Sequence, residues 1–222
     1  MAQKIKLLSL LAIISTLTLM GSFYFPWSKI VLAVNTTTLS QAIVAGTLAV
    51  SIVDADGAAV GSPAVAFSEL TFSFAAATTT ATLGTASEKI RLTNPTATAA
   101  WSVTLAGSGP TAVWTDGGSN TFDFNDEEWS TDGTDDDTKG GRLAVDPSTG
   151  TIAGVSGCAT TNTSLGSSSA FVETTNNSIT LFSSTTAATY CRFDLTGVSL
   201  SQAIPAGQAV ASYTLGLTLT AS

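Results

Sequence analysis

A two-residue alternation of apolar and polar side chains recurs along this chain and limits what it can fold into. Trp101, Val103 and Leu105 alternate with Ser102 and Thr104, and Ile90 and Leu92 alternate with Lys89, Arg91 and Thr93. Leu70, Phe72 and Phe74 share one face of LTFSF. Cys191, Phe193 and Leu195 alternate with Tyr190, Arg192 and Asp194, and Tyr213, Leu215, Leu217 and Leu219 alternate with Thr214, Gly216, Thr218 and Thr220. Successive side chains of a strand point to opposite faces, so each stretch predicts a half-buried antiparallel strand. Turn signals separate them at Asp56-Gly57, Gly107-Ser108-Gly109-Pro110 and Pro147-Ser148-Thr149-Gly150.

Short alternating strands with Gly- and Pro-rich turns predict an all-β chain, an antiparallel β-sandwich of Ig-like or Greek-key type. A signal helix is expected before it. Lys4 and Lys6 precede an uncharged apolar run from Leu7 to Met20, and Val31-Leu32-Ala33 offers small residues for cleavage. Residues 1–33 therefore read as a signal peptide, with an uncleaved anchor over Leu7–Phe25 as the alternative. Residues 34–222 read as a single domain. Either way that domain is expected outside the cytoplasm, secreted or at the cell surface.

Beyond residue 33 there are five Lys or Arg residues against sixteen Asp or Glu. Such a surface excludes a phosphate backbone as partner, because nucleic acid needs a basic face. A membrane is expected as a partner only through an uncleaved N-terminal segment. Cys158 and Cys191 are the only cysteines, and in an oxidising compartment the simplest use of an even pair is one disulfide. A pair of reactive thiols is the alternative.

Nine of the acids fall between 116 and 137 with no base among them, which predicts an acidic insertion over about 116–141. Clustered carboxylates suit Ca²⁺, a hard ion that takes oxygen ligands. Asp123, Asp126, Glu127, Asp132, Asp135, Asp136 and Asp137 are the candidate ligands, and calcium is the one cofactor the sequence suggests. Their order fits no EF-hand, and a solvated, self-repelling loop is the competing reading. Trp101, Trp114 and Trp129 are candidate surface-binding residues, although Trp101 sits on an alternating stretch that equally suits the core. Phe122 and Phe124, two apart, read as an inward face. There is no histidine and no Gly-x-Ser-x-Gly elbow, so a catalytic role is not expected.

One phrase occurs twice: LSQAIVAG at 39–46 and LSQAIPAG at 200–207. Each copy leads into an alternating run, TLAVSIV at 47–53 and QAVASYTLGLTLT at 208–220. The expectation is that the two terminal strands occupy equivalent places, as neighbours in one sheet or related across the sandwich. Two copies are too few for a solenoid.

The ordering of AGTLAVSIV (45–53), AVAFSELTFSFAAATTTATLG (64–84), WSVTL (101–105) and IPAGQAVASYTLGLTLTAS (204–222) resembles the WxL-domain family of bacterial surface proteins. The resemblance covers most of the chain beyond residue 33 and is weakest in the acidic stretch. It implies an exported β-rich protein attached non-covalently to the Gram-positive wall through peptidoglycan. Of the family's two Trp-x-Leu motifs, the first is matched by Trp101-Ser102-Val103, with Val for Leu. At the second, Leu219 stands where the Trp is expected. The expected function is a non-catalytic surface module that binds the envelope or other surface proteins. The alternative is a subunit of a surface fibre or layer that assembles by strand addition, as a homo-oligomer, with Ca²⁺ as a possible stabiliser.

Overall fold

The computed structural model describes residues 40–109, 112–126, 140–173 and 175–222. The expected signal segment, Trp129 and the candidate ligands Glu127, Asp132, Asp135, Asp136 and Asp137 lie outside the described residues. The chain divides into two compact units, Met1–Ile43 and Val44–Ser222. In the first, the described residues Ser40–Ile43 are exposed and form no strand. The second is an all-β sandwich. Among its described residues the only helical element is one 3₁₀ turn at Pro147–Thr149.

Three four-stranded antiparallel sheets enclose one core. The first holds β1 (Ala49–Val53), β3 (Lys89–Asn94), β12 (Cys191–Thr196) and β8 (Thr151–Val155), in that spatial order. The second holds β10 (Ser169–Ala170), β7 (Arg142–Asp146), β13 (Val198–Ile204) and β2 (Ala77–Leu83). The third holds β14 (Leu217–Ala221), β4 (Trp101–Gly107), β11 (Ser178–Ser184) and β9 (Thr163–Leu165). A small hairpin, β5 (Trp114–Thr115) with β6 (Thr121–Phe122), stands apart from them.

The first two sheets are halves of one bent surface. Three chain segments cross from one half to the other: β2 to β3, β7 to β8, and β12 to β13. Each crossing carries a device that bends it. Gly84 and Gly197 take φ of 79° and 82°, which an L side chain resists. The 3₁₀ turn bends the third crossing, with the Asp146 carboxylate accepting from Ser148 N. Hydrogen bonds link the three bends. Gly197 N donates to Gly84 O at 2.7 Å, Thr149 Oγ1 donates to Gly197 O at 2.9 Å, and Ser199 N donates to Thr149 Oγ1 at 2.9 Å.

The alternation places the core. Ile90, Leu92, Phe193 and Leu195 from the first half, Leu143, Val145 and Leu200 from the second, and Trp101, Val103 and Leu105 from the third sheet are all buried. Trp101 lies 5.5 Å from Phe182 and 5.4 Å from Phe193 between ring centroids, and so joins two sheets. Cys158 and Cys191 form the expected disulfide, with Cα atoms 5.7 Å apart.

Several expectations are corrected. LTFSF is not a strand: Leu70, Phe72 and Phe74 are 46%, 45% and 89% exposed. The alternation there is real, and the rings of Phe72 and Phe74 do meet on one side, but no strand partners this stretch. Of YTLGLTLT, only Leu217 onward belongs to β14, with Thr214 held by an isolated bridge to Thr115. Asp194, which shares the face of Tyr190 and Arg192 in the alternation, is only 7% exposed. It sits opposite Arg91 in the ladder and binds it through both carboxylate oxygens, at 2.6 and 2.8 Å. This hydrogen bonding raises the Arg91 pKa above its ordinary value.

The repeated phrase has two different fates. Leu200 to Ile204 of the second copy lie within β13, between β2 and β7. The first copy is exposed coil over Ser40–Ala45. The strands that follow the copies are nevertheless comparable in position. β1 and β14 are edge strands of two different sheets, and they touch.

Candidate functional site

The hairpin β5–β6 places Trp114 directly opposite Phe122, and their rings stack 5.7 Å apart at 11°. Its turn is organised by Asp116. Oδ1 accepts from Gly118 N at 2.7 Å and Oδ2 accepts from Asn120 Nδ2 at 2.6 Å. These bonds, that from the Asn120 side chain first, hold the carboxyl below its ordinary pKa. Thr115 and Thr214 exchange backbone hydrogen bonds of 3.0 and 2.8 Å, so the hairpin is fixed to the segment leading into β14.

Two further aromatic rings meet this pair. Phe67 stands edge-on to Trp114 at 5.5 Å, and Tyr213 stands edge-on to Phe122 at 5.1 Å. Behind them lies Gln202 of β13, 1% exposed. Its Oε1 accepts from Trp114 Nε1 at 2.9 Å, and its Nε2 donates to Ala203 O at 2.7 Å and to Asp123 O at 3.3 Å. A buried amide must find such partners, and here they fix the indole in one orientation. Gln208 Nε2 donates to Tyr213 Oη at 2.7 Å, and Tyr213 Oη donates to Ala209 O at 2.7 Å.

These side chains wall a cleft of about 520 Å³ between residues 65–79 and 204–213. Leu70, Phe72 and Val210 carry exposed apolar surface along it. Among the described residues Glu69 is the one charged side chain in its lining. Aromatic walls with fixed amides and hydroxyls suit an uncharged ligand that has both apolar faces and polar edges.

The structure separates the three candidate tryptophans. Trp114 lines the cleft. Trp101 is 3% exposed and donates through Nε1 to Ala188 O at 3.2 Å, so it is core and not a surface contact. Trp129 lies outside the described residues. Residues missed by sequence reasoning are Gln202, Phe67, Gln208 and Tyr213 as a group. They come from two distant segments, Phe67 and residues 202–213, and no local pattern links them.

Of the candidate calcium ligands, the two described ones are not part of a solvated loop. Asp123 and Asp126 are 6% and 3% exposed, and Phe122 and Phe124 beside them are core, as their spacing suggests. The neck of the acidic insertion is closed by backbone bonds. Asp126 N donates to Gly141 O at 2.9 Å and Leu143 N donates to Phe124 O at 2.6 Å. Among the described residues no three acidic or cysteine side chains lie close enough to share a metal ion.

The fold and the cleft define an all-β sandwich with an aromatic groove at one end. No family model, no curated protein and no solved structure matches this chain.

Proposed function

We infer that this chain is a non-catalytic module of the outer cell surface, WxL-like, that associates non-covalently with the envelope. The observation that carries this reading is the aromatic cleft, whose Trp114, Phe67 and Tyr213 rings offer stacking surfaces beside the Gln208 amide. Sugar rings present apolar C–H faces and hydroxyl edges, and that combination fits such walls. The glycan strands of peptidoglycan are the envelope ligand of this chemistry. The disulfide supports an oxidising, extracytoplasmic location, as does the charge-poor N-terminal run.

The test is sedimentation of the full chain with purified Gram-positive sacculi. Native protein sediments with them, and Trp114→Ala loses at least tenfold in apparent affinity while remaining folded. Equal sedimentation of the two proteins, or none by either, refutes the reading.

A further inference from the structure

The cleft beside Trp114 has spent its indole, amide and phenol donors. Trp114 Nε1 donates to Gln202 Oε1, and Gln202 Nε2 donates to Asp123 O and Ala203 O. Gln208 Nε2 donates to Thr121 O at 3.4 Å and to Tyr213 Oη, and Tyr213 Oη donates to Ala209 O. An amide nitrogen carries two hydrogens and an indole or phenol one, so these groups have none left to offer a ligand. Two acceptors remain. Gln208 Oε1 and the Glu69 carboxylate accept no hydrogen bond from a described residue, and Glu69 joins no ion pair among them. The lining hydroxyls, Thr71 and Ser212 among them, can serve either way.

Glu69 is held in a tethered stretch of the wall. The residue before it is fixed on both sides of its backbone: Ser68 N donates to Thr80 O at 3.0 Å, and Ser68 O accepts from Thr79 Oγ1. At the other end of the stretch Ser73 O accepts from Gly207 N at 2.9 Å, which joins this wall of the cleft to segment 204–213 opposite. Between these two ties lie Glu69 and the 45% exposed ring of Phe72, both in the lining. The face of an aromatic ring is negative and attracts a cation. Among the described residues the lining holds no lysine or arginine, and Lys89 and Arg91 are engaged with Asp194. Beyond residue 33 acids outnumber bases sixteen to five. A negative group entering the cleft meets repulsion, and a positive one is drawn in.

We propose that the cleft selects hexosamine units with a free ammonium group, glucosamine over N-acetylglucosamine, and that Glu69 sets this preference. The inference rests on the glycan reading above and narrows it. Stacking on the rings and fixed amides alone suits an uncharged sugar, and both hexosamines supply that sugar face. The atoms the cleft leaves unpaired add a further condition. An ammonium group brings three N–H donors and a positive charge to a site that offers acceptors, an exposed ring face and one carboxylate. An acetamido group brings one donor and no charge. It also brings a carbonyl oxygen for which the indole, amide and phenol groups hold no spare donor.

Two trisaccharides that differ only in N-acetylation test it. Binding of the glucosamine trimer and of the N-acetylglucosamine trimer to the full chain is measured by calorimetry, at low salt and at a mildly acid pH that keeps the sugar amines protonated. The expected result is a preference of at least about fivefold for the free-amine trimer, weakened by added salt. Glu69→Gln, an exchange at an exposed position, removes the preference and leaves the circular dichroism spectrum unchanged. Asp56→Asn removes one charge from an exposed turn that does not line the cleft, and keeps the preference. That variant separates a contact in the cleft from the general attraction of a cation to an acidic protein. Equal affinity for the two trimers, a preference that survives Glu69→Gln, or one lost equally in Asp56→Asn overturns the proposal. Binding of neither trimer overturns it too, and sedimentation with sacculi then shows whether the glycan reading falls with it.

Discussion

Exchanging two tryptophans separates core from cleft. Trp101 is 3% exposed, packed on Phe182 and Phe193, with its N–H bound to Ala188 O. Trp101→Ala removes the indole from a site walled by two sheets. The Ala188 carbonyl keeps a donor, Asn94 Nδ2 at 3.0 Å, so no orphaned acceptor adds to the cost. The loss is then that of large-to-small core truncation, about 3–5 kcal/mol. With a urea m-value of about 2 kcal/mol/M, the midpoint falls by about 1.5–2.5 M at unchanged m. Sacculus binding by the remaining folded protein should not change. Trp114→Ala should do the reverse. It truncates a half-buried ring, costs less stability than Trp101→Ala, and weakens binding at least tenfold. A midpoint shift under about 0.5 M for Trp101→Ala would refute the core assignment. Binding lost equally in both would refute the division of roles.

Further outcomes follow from the same geometry. Cys158→Ser with Cys191→Ser opens a loop of 33 residues' separation and should lower stability by about 3–4 kcal/mol in the chain-entropy model, read by urea unfolding. Gln202→Leu leaves the Trp114 N–H without its acceptor and should cost about 1–3 kcal/mol, with a shifted Trp indole resonance by NMR. Gly84→Ala puts a Cβ at φ 79°, 2.8 Å from Leu195 O, and should destabilise by at least about 1 kcal/mol; a neutral result would refute the account of the bend. The folded-state pKa of Asp116 lies below its unfolded value, so its contribution is full above the unfolded pKa and is lost as pH falls through the folded one. An NMR titration should find its midpoint below the ordinary carboxylate value, and Asn120→Ala should raise it.

Much of the fold was legible because alternation reports burial directly. EKIRLTN and WSVTL became β3 and β4 with the expected faces inward. What alternation does not report is pairing. Leu70, Phe72 and Phe74 alternate as well as any core strand, but a strand exists only where a neighbour completes its hydrogen bonds, and none lies beside them. β11 fails in the opposite way. A bulge between Thr180 and Phe182 turns both Leu181 and Phe182 inward, so a buried strand lacks clean alternation. The cleft was less legible still. Trp114 was visible as a candidate, but its meeting with Phe67, Gln202 and Tyr213 depends on contacts between residues far apart in sequence.

The repeated phrase shows how little a short sequence decides alone. One copy of LSQAI is a central strand, held by β2 and β7 on either side, and the described residues of the other, from Ser40 on, are exposed coil. Leu, Gln, Ala and Ile at the same spacing have the same strand propensity in both, so the difference lies in the available partners. Inside one chain, β13 already occupies one side of β2, and Ser68 holds the other, donating through N to Thr80 O and accepting from Thr79 Oγ1.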